Sequence, residues 1–442
     1  MSSHRLIKSL TEFHPEDMEQ LYGSEWAVPP LDPNLQLAPI KRVALVAESF
    51  LPKVDGVSKT AFLTLRYLQQ TGREVIVLAP DLAPQAIGQS RVVPLPSVGL
   101  PMAPETRMAI PHPVINQTLH DFQPDLIHMF SPALVSITGM LYARQNRIPV
   151  IANYQTDLPA YAQHYGLKIL STVVNDWLRN LHNGCHLTLA PSNWTLNQLR
   201  SEGYHRLRRW GRGVNTERFN PNHRSQAWRE KMLNGRDPNA LLCLYVGRLA
   251  NEKRIDLLLE VARTPGVALT IIGDGYLRDE LETQFAGTNT HFMGYIFGED
   301  LGNAYASADV FMFPGESETF GQVVQEALAS GLPAVIIHSG GITDQVQSGI
   351  NGFICNDDPA EFARAARTLR DDPTLRKHMA HHARLQAEKN PWSGIMAQLE
   401  THYQEAVDIN NRFNRVYPPM DLLSSLLSFT GWSPRGEFDR VS

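Results

Sequence analysis

Strand-like apolar runs alternate with helical segments twice along the chain, and this repeated alternation constrains the fold more than any other feature. Such alternation is typical of parallel sheets covered by helices on both faces. A length of 442 residues favours two domains over one. The predicted fold class is therefore α/β, with two Rossmann-like doubly wound domains facing a cleft. The predicted strands are Arg42–Ala47, Arg73–Ala79, Asp125–His128, Pro149–Asn153, Leu241–Val246, Ala268–Ile272, Asp309–Phe313 and Leu332–Ile337.

A turn-rich segment interrupts the alternation between residues 215 and 240, where Phe219–Asn222 and Asn234–Pro238 are rich in Asn, Pro and Gly. This break predicts four regions. Residues 1–40 form an N-terminal extension, residues 41–215 the first domain and residues 216–395 the second. Residues 396–442 form a C-terminal helix and tail that return toward the first domain.

Composition excludes several classes of protein. A net charge of -5 and a pI near 6.3 argue against a nucleic-acid-binding protein. Three widely spaced cysteines match no zinc site and suggest a reducing compartment. The polar N-terminus has no signal-peptide core and no run reaches the length of a membrane span. We expect a cytoplasmic protein, with peripheral contact to the inner face of the cell membrane left open.

The segment Phe313–Gly331 reads as a strand end, a loop and the first turns of a helix. The backbone amides near Phe320 and Gly321, at the start of that helix, suit a phosphate group. Glu318 in the loop and Glu326 in the helix can each reach a different part of a ligand. Chance spacing of two glutamates in a helical segment is the alternative explanation.

Two cations, Arg248 and Lys253, follow the first strand of the second domain and are expected to face the cleft. There they can neutralise a diphosphate and stabilise it as a leaving group, although solvated surface charge is the usual alternative. Gly56, in the first strand–helix loop, allows a close approach of backbone to phosphate, but a plain tight turn explains it equally well. His128, at a strand end, is a candidate ligand contact, with a strand-end histidine satisfied within the protein as the safer interpretation.

No DxD pair follows a strand, so the charge of a metal would have to be replaced by the cations and the helix amides. The sequence thus predicts no metal and no cofactor. A Rossmann dehydrogenase is disfavoured because no G-x-G-x-x-G follows Ala47.

Together these motifs resemble the retaining glycosyltransferases of family 4, whose two Rossmann-like domains form the GT-B fold. The resemblance covers residues 41–400 and rests on Gly247–Lys253, Ile272–Gly275 and the segment from Glu318 to Glu326. It implies an acceptor-binding first domain and a second domain that binds a nucleotide diphosphate sugar. It implies that Arg248 and Lys253 hold the diphosphate and that Glu326 holds the ribose. Glu318 and the amides of Phe320 and Gly321 would hold the sugar and its phosphate. Gly56 would lie near the diphosphate, and Gly273 and Asp274 would contact the substrate.

Two further stretches, Arg209–Val214 and Ala152–Tyr161, resemble the branch that glycosylates lipids. That branch contains sulfoquinovosyl-diacylglycerol synthases and GDP-mannose-dependent α-mannosyltransferases. Gln155 and Asp157 of the second stretch are expected to bind substrate. Many family members carry a histidine where this chain has Gln155, and an amide cannot carry a proton. A catalytic acid or base at position 155 is therefore not expected.

The resemblance implies a metal-independent retaining transferase that moves a hexose, with mannose from GDP-mannose as the best choice, to a hydroxyl of a lipid or glycolipid. Two alternatives stay open: a sulfoquinovosyl or glucosyl transferase that uses a UDP-sugar, and a non-catalytic nucleotide-sugar binding protein. An anionic membrane surface is a further candidate partner. The features that suggest it are Arg200, Arg206, Arg208, Arg209, Arg212 and the apolar tail Met420–Trp432.

Overall fold

The computed structural model describes residues 34–51, 56–100, 103–157 and 168–416. Most of the predicted N-terminal extension, the residues between Leu51 and Gly56, the end of the Ala152–Tyr161 motif and the whole tail Met420–Trp432 lie outside the described residues. The chain divides into two compact units. The first contains the described residues up to Gly211 together with the last helix from Ser393, and the second contains Arg212–Trp392.

The first unit is built on an eight-stranded sheet whose strands are parallel except at one edge. Its strands are β1 (Arg42–Ala47), β2 (Glu74–Pro80), β3 (Ala86–Ile87), β4 (Ser90–Leu95), β7 (Leu126–Phe130), β8 (Val150–Asn153), β9 (Leu187–Ala190) and β10 (Leu207–Arg209), and a separate hairpin is formed by β5 (Ser97–Leu100) and β6 (Ala103–Ala109). Its described helices are α1 (Gly56–Gln70), α2 (Val114–Phe122), α3 (Val135–Asn146), α4 (Lys168–Gly184), α5 (Asn193–Ser201) and α13 (Trp392–Val416).

The strand order of this sheet is β10-β9-β8-β7-β1-β2-β4-β3. From β1 the chain adds strands first on one side and then, from β7 on, on the other. The strand order therefore reverses between β1 and β7, and in doubly wound sheets ligands bind at the carboxyl ends of the strands at such a point. All five residues of β7 are buried, as expected for a strand covered on both faces.

The second unit has six parallel strands in the order β13-β12-β11-β14-β15-β16. These are β11 (Leu241–Val246), β12 (Val267–Ile272), β13 (Thr290–Gly294), β14 (Val310–Phe313), β15 (Ala334–Ile337) and β16 (Gly352–Cys355). The helices are α6 (Gln226–Leu233), α7 (Leu259–Ala262), α8 (Arg278–Gln284), α9 (Gly298–Ser307), α10 (Gln322–Ala329), α11 (Pro359–Asp371) and α12 (Pro373–Ala387). Here the order reverses between β11 and β14, so the loops that follow these two strands are neighbours at the ligand-binding edge.

The last helix, α13, is fastened to the first unit by a buried ion pair. The Glu400 carboxylate accepts hydrogen bonds from both terminal nitrogens of Arg73, each at 2.7 Å. It also accepts from the Tyr67 hydroxyl at 2.7 Å and from the Ala38 amide at 2.9 Å. Both charged side chains are only 3% exposed. The hydrogen bonds between them therefore compensate for the hydration that each charged group loses on folding.

Among the residues that the structure describes, no helix combines the length and the apolar composition needed to cross a membrane.

Candidate functional site

The loops after β11 and β14 bring two predicted site residues into direct contact. Lys253 lies in a 3-10 turn, Asn251–Lys253, and its Nζ donates a hydrogen bond to Glu318 Oε1 in the loop before α10. The two residues are 65 positions apart in the chain, and the adjacency of β11 and β14 brings them together. A cation and a carboxylate thus lie side by side at the carboxyl ends of the strands of the second unit.

Arg248 is oriented by a neighbour that sequence reasoning did not single out. Its guanidinium donates to Glu252 Oε1 at 2.5 Å, and the Glu252 side chain is almost fully buried. The Glu252 backbone oxygen accepts from the Glu316 amide at 3.0 Å, which joins this turn to the loop after β14. The spacing of Arg248 and Glu252 was a usable signal, since oppositely charged residues four apart commonly pair in helical turns.

Helix α10 begins at Gln322 with Gly321 as its N-cap, two residues later than the predicted start at Phe320. Gly321 has φ 78°, and a Cβ there would lie 2.2 Å from Ile342 Cγ2, so only glycine fits. The first turn of α10 contains no acidic residue, and glycine has no side chain to cap it. The partial positive charge of the helix start is therefore available to an anion.

Glu326 is buried on α10, where its Oε2 accepts a hydrogen bond of 3.4 Å from the Tyr305 hydroxyl. Burial, followed by the charge of Glu326, raises the pKa of Tyr305 well above its ordinary value. The single proton of this hydroxyl is shared with a second acceptor, the Val323 backbone oxygen at 3.3 Å. Phe320 is also buried, and the Gln345 side-chain amide donates to its backbone oxygen at 2.5 Å.

Gly273 and Asp274 lie against the loop that carries Arg248. Gly273 has φ 136°, and a Cβ there would lie 1.9 Å from the Gly247 backbone oxygen. Asp274 uses its side chain locally, since Oδ1 accepts from the Gly275 amide at 2.8 Å and Oδ2 accepts from Arg278 at 3.5 Å. In this structure both residues support the cationic loop, and a direct substrate contact by either stays a prediction.

In the first unit, the prediction that His128 ends a strand is wrong, since it is the middle residue of β7 and lies in the core. Its side chain has no exposed surface, and its Nδ1 is 2.9 Å from the Tyr403 hydroxyl of α13. The ring also stacks on Phe130 with centroids 4.4 Å apart. Burial lowers the pKa of His128 to about 4, so the ring is neutral near pH 7. This geometry favours a structural role for His128 over contact with substrate.

The remaining first-unit candidates lie at strand or helix ends. Gly56 is the first residue of α1, where its backbone oxygen accepts from the Thr60 hydroxyl at 2.6 Å. Gln155 and Asp157 follow β8, and both are largely buried. The Gln198 side-chain amide donates to Asp157 Oδ2 at 3.3 Å. The structure therefore places Gln155 and Asp157 at the carboxyl end of the sheet, while their contact with a sugar stays a prediction.

Four of the five clustered arginines make contacts within the protein. Arg200 donates to Asn197 Oδ1 at 3.2 Å, Arg206 donates to the Cys185 backbone oxygen at 3.1 Å, Arg208 forms an ion pair with Glu405, and Arg212 is buried 5.8 Å from the centre of the Phe320 ring. Arg200, Arg208 and Arg209 are exposed. The pairing of Arg208 with Glu405 and the burial of Arg212 reduce the positive charge that these arginines present at the surface.

No three His, Cys, Asp or Glu side chains of the described residues come together in an arrangement able to hold a metal ion. The prediction that the chain needs no metal stays a prediction.

Comparisons with known proteins agree with this architecture. Residues 54–218 match the family model described as Glycosyltransferase Family 4, and residues 226–386 match that of Glycosyl transferases group 1. A GDP-mannose-dependent alpha-mannosyltransferase of Corynebacterium glutamicum is 35% identical over 384 residues, which are 84% of this chain and 90% of that enzyme. A sulfoquinovosyl transferase of Arabidopsis thaliana is 34% identical over 394 residues, 87% of this chain and 77% of that protein.

The solved structure of a sucrose-phosphate synthase from Thermosynechococcus elongatus superposes with a TM-score of 0.68 at 20% identity, covering 83% of this chain and 98% of that one. At this identity the likeness shows the fold alone. It confirms the predicted class, an α/β protein with two Rossmann-like domains of the GT-B type.

Proposed function

Because the chain belongs to the family 4 glycosyltransferases, we propose that it transfers mannose from GDP-mannose to a hydroxyl of a lipid or glycolipid, with retention and without a metal. The observation that carries the donor site is the contact between Lys253 and Glu318 beside the uncapped start of α10. This arrangement provides a cation and backbone amides for a diphosphate and a carboxylate for a sugar hydroxyl. The choice of GDP-mannose is supported by 35% identity to the GDP-mannose-dependent alpha-mannosyltransferase.

In the proposed reaction, the bond between the sugar C1 and the diphosphate oxygen breaks as the acceptor oxygen attacks C1 from the same face. The acceptor proton passes to the departing diphosphate oxygen, so no side chain has to act as a base. Arg248 and Lys253, with the amides of α10, stabilise the negative charge that grows on the diphosphate. Glu326 accepts hydrogen bonds from the ribose hydroxyls.

The first unit is proposed to supply the acceptor side. Gly56 would let the start of α1 approach the diphosphate closely. Gln155 would donate or accept a hydrogen bond at a sugar hydroxyl without exchanging a proton. Asp157, which accepts a hydrogen bond from Gln198, would contribute a carboxylate after the same strand, β8.

The competing hypothesis is a diacylglycerol glycosyltransferase that takes a sulfoquinovosyl or glucosyl group from a UDP-sugar. Its support is the 34% identity to the sulfoquinovosyl transferase of Arabidopsis thaliana. A non-catalytic nucleotide-sugar binding protein is disfavoured because Arg248, Lys253, Glu318 and Glu326 are all present in the sequence.

Thermal stabilisation by the correct nucleotide separates the two donors. GDP at one hundred times its dissociation constant is expected to stabilise the protein by about 2.7 kcal/mol, while UDP at equal concentration has little effect. The measurement is the unfolding temperature with each nucleotide, followed by NMR of the product formed from GDP-mannose and a membrane lipid extract. Stabilisation by UDP alone would favour the competing hypothesis.

The same assay tests the chemistry. The new glycosidic bond is expected to keep the α configuration of the donor, and turnover is expected to survive EDTA because Arg248 and Lys253 supply the positive charge. A β-linked product would contradict retention. Loss of turnover in EDTA that magnesium or manganese restores would contradict metal independence.

A further inference from the structure

The loop that carries Arg248 and Lys253 is held by a ladder of hydrogen bonds to the segment that follows β12. The backbone amides of alternate residues in this loop donate hydrogen bonds to alternate residues from the end of β12 onward. The donor–acceptor pairs are Gly247 N to Ile272 O, Leu249 N to Asp274 O and Asn251 N to Tyr276 Oη, each 3.0 Å long. The parallel pairing of β11 with β12 thus continues beyond the ends of both strands.

The close approach of the two segments depends on glycine at two positions. A Cβ at Gly273 would lie 1.9 Å from the Gly247 oxygen, and a Cβ at Gly275 would lie 2.2 Å from the Leu249 oxygen. Real Cβ atoms do not approach backbone atoms this closely, because hard-sphere contact forbids it. The second segment therefore fixes the course of the cationic loop as far as Leu249.

The last of the three hydrogen bonds differs in kind, since its acceptor is a side-chain hydroxyl and not a backbone carbonyl. The Tyr276 hydroxyl oxygen accepts a hydrogen bond from the backbone amide of Asn251, the first residue of the 3-10 turn that ends at Lys253. The Tyr276 ring is 52% exposed, so the side chain adds little to the hydrophobic core. Its defined contact is with the turn that presents Lys253 to Glu318.

We infer that Tyr276 is a positioning residue, which holds the Asn251–Lys253 turn so that Lys253 meets the diphosphate of the donor. The inference rests on the proposed function, because it needs Lys253 to act on that diphosphate. It adds a residue outside the cation and carboxylate set, acting through Lys253 and not on the donor itself.

The test begins with Tyr276→Phe, which removes the oxygen and keeps the ring. Hydrogen exchange in the full-length protein is expected to quicken at the Asn251 amide, with an unchanged unfolding temperature. In GDP-mannose hydrolysis, kcat is expected to fall about three- to tenfold, the range that corresponds to one hydrogen bond. The dissociation constant of GDP is expected to change less than twofold. Tyr142→Phe, a tyrosine hydroxyl removed from α3 in the first unit, is the control and should match wild type.

A double-mutant cycle with Lys253→Ala distinguishes positioning from a general structural effect. If Tyr276 acts through Lys253, Tyr276→Phe has little further effect once Lys253 is gone, whereas independent effects multiply. A Lys253→Ala enzyme as active as wild type would overturn the role of Lys253 and with it the positioning role of Tyr276, whereas a wild-type protein without activity on GDP-mannose would overturn the proposed function. Three results would overturn the positioning role alone. The first is a fully active Tyr276→Phe enzyme when Lys253→Ala is impaired, and the second is a double variant whose loss of kcat is the product of the two single losses. The third is hydrogen exchange at the Asn251 amide that Tyr276→Phe leaves unaltered.

Discussion

Replacement of Lys253 by alanine is expected to lower kcat by about 100-fold or more, while the dissociation constant of GDP changes much less. The reason is that the diphosphate gains negative charge as the sugar departs, so a cation beside it stabilises the transition state more than the bound donor. The loss of a single preorganised donor of this kind typically costs a factor of 10²–10³ in kcat. Steady-state rates with GDP-mannose, together with calorimetric binding of GDP, measure the two quantities separately.

Two controls isolate the charge of Lys253 from other effects. Lys231→Ala removes an exposed lysine from α6 of the same unit and is expected to leave the rate unchanged. Lys253→Ala also removes the cation that donates a hydrogen bond to Glu318. The unpaired Glu318 carboxylate then repels the negatively charged diphosphate. Partial recovery of GDP affinity in the Lys253→Ala, Glu318→Gln double variant would identify that share. Equal kcat values for wild type and Lys253→Ala would contradict the proposed role.

The four central strands of each sheet could be predicted because buried parallel strands appear in the sequence as continuous apolar runs. The predicted strand Leu241–Val246 coincides with β11, and every residue of that strand is buried. The outer strands β9, β10, β13 and β16 were not predicted, nor were β3 to β6 between residues 80 and 110. Two of the six residues of β4, Arg91 and Pro94, are exposed and interrupt the apolar run, so the pattern of a central strand is absent.

The helices were predictable in place more than in type. The segment Ile255–Arg263 predicts one α-helix, but it forms a 3-10 turn over Ile255–Leu258 before the short α7. Arg254, which precedes it, has φ 46° and binds both Glu316 and Asp357. These contacts join distant parts of the chain, so the local sequence carries no sign of them.

The candidate site could be predicted as far as strand ends allow. Arg248, Lys253 and Glu318 were recognisable because each follows an apolar run whose carboxyl end lies at the ligand-binding edge of a doubly wound sheet. The contact between Lys253 and Glu318 was not, since it requires β14 to lie beside β11 and not beside β13, its predecessor in the chain. Tyr276 was missed for a similar reason, because its hydroxyl acts on a turn of a different loop.

The C-terminal helix was expected to return to the first domain, and the buried pair of Arg73 with Glu400 makes that contact a source of stability. Glu400→Ala is expected to lower the free energy of unfolding of the first unit by about 3–5 kcal/mol. The variant leaves the Arg73 guanidinium buried without a counter-charge, and the Tyr67 hydroxyl and the Ala38 amide also lose their acceptor. Urea unfolding monitored by far-UV circular dichroism measures the loss, with the two units fitted as separate transitions.

Glu405→Ala is the matched control, because Glu405 lies on the same helix and pairs with Arg208 at the surface. An exposed pair contributes about 1 kcal/mol or less, and salt screens it. The two variants should therefore differ by several-fold in destabilisation, and only the Glu400 effect should persist at high salt.

A second comparison replaces both members of the buried pair, as in Arg73→Met with Glu400→Leu. Since no uncompensated charge then remains, much of the stability lost in Glu400→Ala is expected to return. Equal, small losses for Glu400→Ala and Glu405→Ala would mean that α13 is held to the first unit by apolar packing, and that the buried ion pair adds little to its attachment.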